Sequence, residues 1–198
     1  SEHFLYQIDK ECRELQPDLR ITSAIADIRD EHRIEQLVSQ FKPDVIFHAA
    51  ALKHVPLMEN NSLECIKTNV IGTRNLADCA VRHDVKTFVM ISTDKAINPT
   101  NVMGATKRAA EVYCQALDLE GSKTRFKTVR FGNVLGSNGS VVPLFKRQIA
   151  RGGPVTVTHR NVIRYFMTIP EACSLVLEAG CTGQGGEIYL FNMGDAVR

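Results

Sequence analysis

The stretch TFVMISTDKAINPTNVMGATKRAAEVYCQALDL, residues 87–119, decides the fold. Its first five residues, Thr87 to Ile91, form a nearly continuous apolar run that ends at polar residues, which predicts a buried strand. From Met103 to Leu119 apolar and small residues recur at three- and four-residue spacing, which predicts a helix. Ser92-Thr93-Asp94-Lys95 stand where the strand ends. A strand, a polar turn and a long helix in that order make the repeating unit of a parallel sheet.

The alternation continues outward. Arg20 to Ile25, Val45 to Ala51 and Phe126 to Phe131 read as further strands, and Glu31 to Phe41 and Leu63 to Val81 as further helices. The predicted fold class is α/β, a Rossmann-like parallel sheet with helices on both faces. After Gly132 the texture turns to Gly, Ser, Asn and Pro, with a glycine-rich run at Gly136 to Ser140. A helix from Val142 to Ala150, a strand around Val155 to Thr158, a helix from Glu171 and a strand near Ile188 to Phe191 follow. Residues 1–132 are expected to form the nucleotide-binding domain, and residues 133–198 mainly a small substrate-binding lobe interleaved with the sheet.

Bulk composition narrows the function classes. The 198 residues are 44% apolar and 23% charged with a net charge of +2, which calls for neither nucleic acid nor a membrane surface as partner. The six cysteines are scattered with no C-x-x-C pair, so no metal site is expected, and they read as reduced, packed thiols of a cytoplasmic protein. No run approaches the roughly 18 apolar residues of a membrane span.

In a doubly wound sheet ligands bind beyond the carboxyl ends of the strands. The residues at those places are Asp27-Ile28-Arg29-Asp30, Ala49-Ala50-Ala51-Leu52-Lys53-His54, Ser92-Thr93-Asp94-Lys95 and Gly132-Asn133-Val134, all four rich in small or polar residues. No G-x-G-x-x-G lies between a strand and a helix, although that loop brings a cofactor pyrophosphate to a helix N-terminus. Together with the opening at Ser1, this predicts that the first strand, its glycine loop and the second strand precede these residues.

Thr93-Asp94-Lys95 with Lys107 resembles the extended short-chain dehydrogenases/reductases, in which a Ser/Thr at a strand end works with a Y-x-x-x-K pair. Here that frame reads Met103-Gly104-Ala105-Thr106-Lys107, with methionine in place of tyrosine. Five segments sharpen the resemblance: HAAALKHVPLMENN (48–61), TNVIGTRNLADCA (68–80), ISTDKAINPTNVMGATKRAAE (91–111), RFGNVLGSNGSVVPLFKRQI (130–149) and IRYFMTIPEA (163–172). They are similar to the CapD-type polysaccharide-biosynthesis dehydratases, above all to the subgroup that converts UDP-N-acetylglucosamine to the 4-keto-6-deoxy sugar and carries this methionine.

The resemblance implies a lyase with a tightly bound NAD or NADP, regenerated in each turnover, and a UDP-sugar substrate. It implies Asp94 as the acid at C6, Lys95 as the base at C5, and Thr93 in charge of the C4 hydroxyl, with Met103 marking the subgroup. Lys107 is implied to hold the nicotinamide ribose and, as a neighbouring cation, to lower the pKa of Lys95. Asp27 and Ile28 are implied at the adenine, Ala49, Ala50 and Ala51 along the nicotinamide ribose, and Asn69 as support for the active-site helix. Lys53, Asn133 and Arg164 are implied as contacts to the sugar or the diphosphate, whose charge suits arginine and lysine.

The residues leave other readings open. Asp94-Lys95 also suits a solvated turn before Pro99, Asp27 a helix N-cap, Met103 a gap-filling core residue, and His54 and His159 structural histidines. A C5-inverting dehydratase, an epimerase of the same superfamily, and a nucleotide-sugar-binding or assembly domain without activity are the alternative functions. The superfamily's usual pairing face predicts a homo-oligomer through the helices at Leu63 and Met103. Long relatives of this type are anchored at the cytoplasmic face of a membrane, and this segment is expected to make no membrane contact.

Overall fold

Parallel strands bury both faces and must be covered on each. The computed structural model, which describes residues 2–137, 141–157 and 159–197, shows how this chain does so. In chain order the elements are α1 (Glu2–Leu15), α2 (Glu31–Phe41), β1 (Val45–His48), α3 (Val55–Glu59) and α4 (Ser62–Ile66). A π-helical stretch, Lys67–Gly72, carries α4 into α5 (Thr73–Arg82). Then come β2 (Thr87–Thr93), a 3₁₀ turn at Asp94–Ala96, α6 (Val102–Leu119), β3 (Arg125–Phe131), β4 (Asn133–Val134), α7 (Val141–Ala150), β5 (Phe166–Met167), α8 (Ile169–Cys181) and β6 (Ile188–Leu190).

The main sheet has the order β1-β2-β3-β6, and every pairing in it is parallel. Alternate residues of β2 serve opposite faces. Phe88 and Met90 join Phe126 beneath α2, α5 and α6, whereas Val89 joins Val129 beneath Val176 and Ala179 of α8. Both faces are therefore apolar, as the near-continuous hydrophobic runs require. A second, two-stranded parallel sheet, β4 with β5, lies beyond the end of β3.

Local chemistry sets the helix starts. Asp30 accepts from Arg33 N at α2, Asn101 accepts from Gly104 N at α6 at 2.8 Å, and Thr168 with Glu171 forms a capping box at α8. Lys127, buried within β3, donates to Gly180 O at 3.0 Å and so meets the carbonyl end of α8.

Four expectations change. Arg20 to Ile25 is not a strand, because its backbone has no ladder partner among the described residues, and Ile25 is exposed. The run from Val45 stops pairing at His48, which leaves Ala49 to His54 free to line a cavity. Val155 to Val157 is irregular, and Thr158 lies outside the described residues, as do Asn138 to Ser140 of the glycine-rich run. The helix from Leu63 to Val81 is interrupted by its π-helical stretch, where the Thr73 hydroxyl donates to Asn69 O at 2.7 Å. The expected packed thiols are Cys65, Cys79 and Cys114; Cys173 and Cys181 are exposed.

Phe88 is fully buried beneath α2, α5 and α6, with Phe126 at 5.2 Å between ring centroids. Phe88→Ala is expected to lower unfolding free energy by about 3–5 kcal/mol, read from urea denaturation midpoints with unchanged slope.

Candidate functional site

β2 and β3 run in register to their ends, pairing Ser92 with Arg130 and Thr93 with Phe131. Their last residues and the loop after β1 surround one cavity of about 440 Å³. Its wall includes Ala49, Ala51, Leu52, Lys53 and His54 from that loop, Ser92, Thr93 and Lys95 after β2, and Met103 and Lys107 from α6. Phe131, Gly132, Asn133, Val134 and Ser137 close it from the side of β3. Most residues predicted for catalysis therefore share one space, although they are up to fourteen positions apart in sequence, from Thr93 to Lys107.

The 3₁₀ turn sets the polar groups. Asp94 Oδ1 accepts from Thr93 Oγ1 and from Lys95 Nζ, each at 2.9 Å. Its other oxygen, Oδ2, would stand 3.3 Å from a Cβ added to Gly132, so glycine leaves room for the carboxylate beside the cavity wall. Gly104 has an equally specific reason. A Cβ there would run into the carbonyl oxygen of Lys95, so the absence of a side chain lets α6 close onto the turn.

Asn69 is the clamp behind the wall. Fully buried in the π-helical stretch, it accepts from Leu52 N at 2.8 Å and donates to Leu52 O at 2.9 Å and to Thr106 Oγ1 at 3.1 Å. It thereby fixes the loop after β1 against the α6 turn between Met103 and Lys107. Met103 is itself buried with Met58 and Cys65, so its shape contributes to the wall and it offers no exchangeable proton.

Lys107 is the buried charge of the site. Its ammonium has no hydrogen-bond partner among the described residues, and burial pulls its pKa from 10.5 down to about 8, against the pull of Glu111. His48, also buried, donates Nε2–H to Thr73 at 2.8 Å, because the threonine proton is already given to Asn69 O. Burial first, and Lys107 second, push its pKa down to about 3, so the ring is neutral.

Not every predicted residue reaches the cavity. Ala50, Asn69 and Asp94 are not among the wall residues, although Asp94 is bonded to Thr93 and Lys95, which are. Asp27 is exposed and gripped by Arg29 at 2.6 Å, while Ile28 packs into the core against Gly72; the α2 cap is Asp30, three residues on. Arg164 is exposed, with Nη1 donating to Ile163 O at 2.9 Å. His159 accepts from Asn161 N away from the cavity, whereas His54, expected as structural, stands on its wall. Ser92 and Glu111 carry no recognisable pattern of their own, although Glu111 lies one helical turn after Lys107, on the same face.

The chain matches the polysaccharide biosynthesis protein family over residues 1–198. It is 54% identical over 199 residues to the capsular polysaccharide biosynthesis protein CapD of Staphylococcus aureus, covering 100% of this chain and 33% of that protein. It is 42% identical over 169 residues to a UDP-N-acetylglucosamine 4,6-dehydratase (inverting) of Campylobacter jejuni, covering 84% of this chain and 50% of that one. The X-ray structure of Pen from Bacillus thuringiensis superimposes with a TM-score of 0.92 at 38% identity, covering 100% of this chain and 60% of that chain. The chain thus spans about a third to a half of the curated relatives it matches. Among the described residues no helix is long and apolar enough to cross a membrane.

The depressed pKa of Lys107 has a consequence for stability. Between pH 8 and 10.5 the unfolded chain binds more protons at this lysine than the folded one, so its cost is full below pH 8 and relieved as pH rises through that window. Lys107→Met is expected to stabilise the fold at pH 7 by on the order of 3 kcal/mol while damaging the site, and the gain should vanish above about pH 10.5. Thermal unfolding of both proteins across pH checks this.

Proposed function

The chain belongs to the polysaccharide biosynthesis protein family, and we propose that it is the catalytic part of a nucleotide-sugar 4,6-dehydratase that acts on UDP-N-acetylglucosamine and retains configuration at C5. The observation that carries this reading is the hydrogen-bonded run Thr93–Asp94–Lys95 at the cavity. Dehydration across C5 and C6, coupled to oxidation at C4, needs a path for the C4 hydroxyl proton, a base at C5 and an acid at C6. The run holds one group for each.

The residues also suit a nicotinamide cofactor. The buried ammonium of Lys107, without a hydrogen-bond partner among the described residues, lies beside the small Ala49 and Ala51 and offers a donor for ribose hydroxyls and the space for a ribose. When bound, that group supplies hydride storage between C4 and C6. The chain's own residues move the protons. Thr93 Oγ accepts the C4 hydroxyl proton as its own proton passes along the 2.9 Å bond to Asp94. Asp94 then gives that proton to the departing C6 oxygen, forming water. Lys95 takes the C5 proton and returns it to the same face, which leaves C5 unchanged. Protons balance over the cycle: one travels from the C4 hydroxyl to water, and one leaves C5 and comes back.

Lys53 and Asn133, which line the wall, are proposed to meet the sugar or its diphosphate, and Arg164 is proposed for the diphosphate from outside it. Asp27 with Ile28 is proposed at the adenine, Asn69 as support of the nicotinamide side of the site, and residues 133–198 as mainly the substrate lobe. The Campylobacter relative is named as inverting; the buried, protonless Met103 favours retention here.

The test incubates the full-length protein with UDP-N-acetylglucosamine and reads the product by NMR. The expected product is the 4-keto-6-deoxy sugar with C5 retained, and Asp94→Asn or Lys95→Ala should lower kcat by about 10²–10⁴-fold while substrate binding persists. Unchanged turnover in either variant, or a 4-epimer as the product, overturns the reading.

A further inference from the structure

Glu111 takes no part in the proton path, yet it is among the most completely buried side chains in the molecule. Its carboxylate accepts from Ser92 Oγ at 2.5 Å, Arg130 Nε at 2.9 Å and Arg108 Nη1 at 3.1 Å, and from Arg130 Nη2. A carboxylate survives burial only where donors and counter-charges satisfy it, and here they come from three elements: β2, β3 and α6. Those three elements carry Thr93, Met103 and Lys107 and lead into Asp94, Lys95 and Asn133, so the ends of two strands and the site helix meet at one group.

We propose that Glu111 is a positioning residue of the cavity: it locks the ends of β2 and β3 against α6, turns the Ser92 hydroxyl inward, and sets a counter-charge one helical turn from Lys107 on the same face of α6. Ser92 has a single hydroxyl proton, and the carboxylate takes it. Toward the cavity that oxygen offers lone pairs only, so it accepts from an ammonium or a ligand hydroxyl and cannot donate. The groups acting electrostatically on Lys107 are Glu111 and Cys114 from α6, Cys65 from α4 and His48 from β1. Glu111 is the only carboxylate among them. Arg130 and Arg108, bound to that carboxylate, are its own counter-ions.

The influence on turnover rests on the dehydratase reading; the ionisation of Lys107 does not. Full-length protein labelled with [methyl-¹³C]methionine gives a reporter, since the Met103 side chain shares the cavity with Lys107. Its resonance is assigned by its loss in Met103→Leu. In the unaltered protein its pH titration is expected to have a midpoint at about 8. Glu111→Gln keeps the shape and removes the charge, so the midpoint should fall by about one pH unit or more, with the alkaline limb of kcat/KM for UDP-N-acetylglucosamine moving alike.

Glu111→Asp keeps the charge but shortens the reach. It should leave the midpoint in place and lower kcat about tenfold or more with KM nearly unchanged, and Ser92→Ala should do the same. A midpoint in Glu111→Gln within about 0.3 unit of the unaltered protein overturns the counter-charge role. Unaltered kcat in both Glu111→Asp and Ser92→Ala overturns the positioning role, and these two variants decide it should Glu111→Gln fail to fold. If the unaltered protein does not convert UDP-N-acetylglucosamine, the dehydratase reading fails, and the Met103 titration still decides whether Glu111 governs Lys107.

Discussion

The parallel pairing of β2 with β3 is the constraint on which the rest depends. Seven consecutive residue pairs, Thr87 with Arg125 through Thr93 with Phe131, bring both strands to an end at one level. Backbone groups inside such a sheet are satisfied by the ladder, and helices cover both faces, so polar side chains find room chiefly where the ladder stops. Thr93 and Asn133 gather at the same end for that reason. The cavity is what remains between the two strand ends, the loop that leaves β1 at His48, and the first turns of α6.

Two close approaches turn this opening into a defined site. Gly104 lets α6 touch the Lys95 carbonyl, and Asn69 joins the Leu52 backbone to Thr106 through bonds of 2.8–3.1 Å. The first packs helix backbone onto a backbone carbonyl, and the second ties a loop backbone to the helix through one buried side chain. The π-helical stretch around Asn69 belongs to the same construction, since such interruptions of an α-helix are frequent at functional sites.

The charges beneath the site illustrate a trade between stability and function. Lys107 is held in surroundings that disfavour its ammonium, and His48 stays neutral beside it. Glu111 offsets part of the first cost, at the expense of its own desolvation, which Arg130, Arg108 and Ser92 relieve. An apolar core of the same volume would be the more stable arrangement; a chain that retains buried charges of both signs does so for placement and ionisation.

The sequence by itself determined the layer architecture and the family. The hydrophobic runs at Val45, Thr87 and Phe126 and the helical periods at Glu31 and Met103 are local patterns, and periodicity is what local sequence encodes. The T-D-K segment and the Met103 to Lys107 frame were equally legible, because their spacing is set within one strand–turn–helix unit. Only the tertiary structure decided whether an apolar run became a strand. Arg20 to Ile25 has the composition of a strand but no ladder partner among the described residues, and pairing is a property of two segments. The same holds for Glu111 and Ser92. Each is an unremarkable residue in its own helix or strand, and the bond between them exists because β2, β3 and α6 meet there, where burial turns an ordinary carboxylate into the junction of the site.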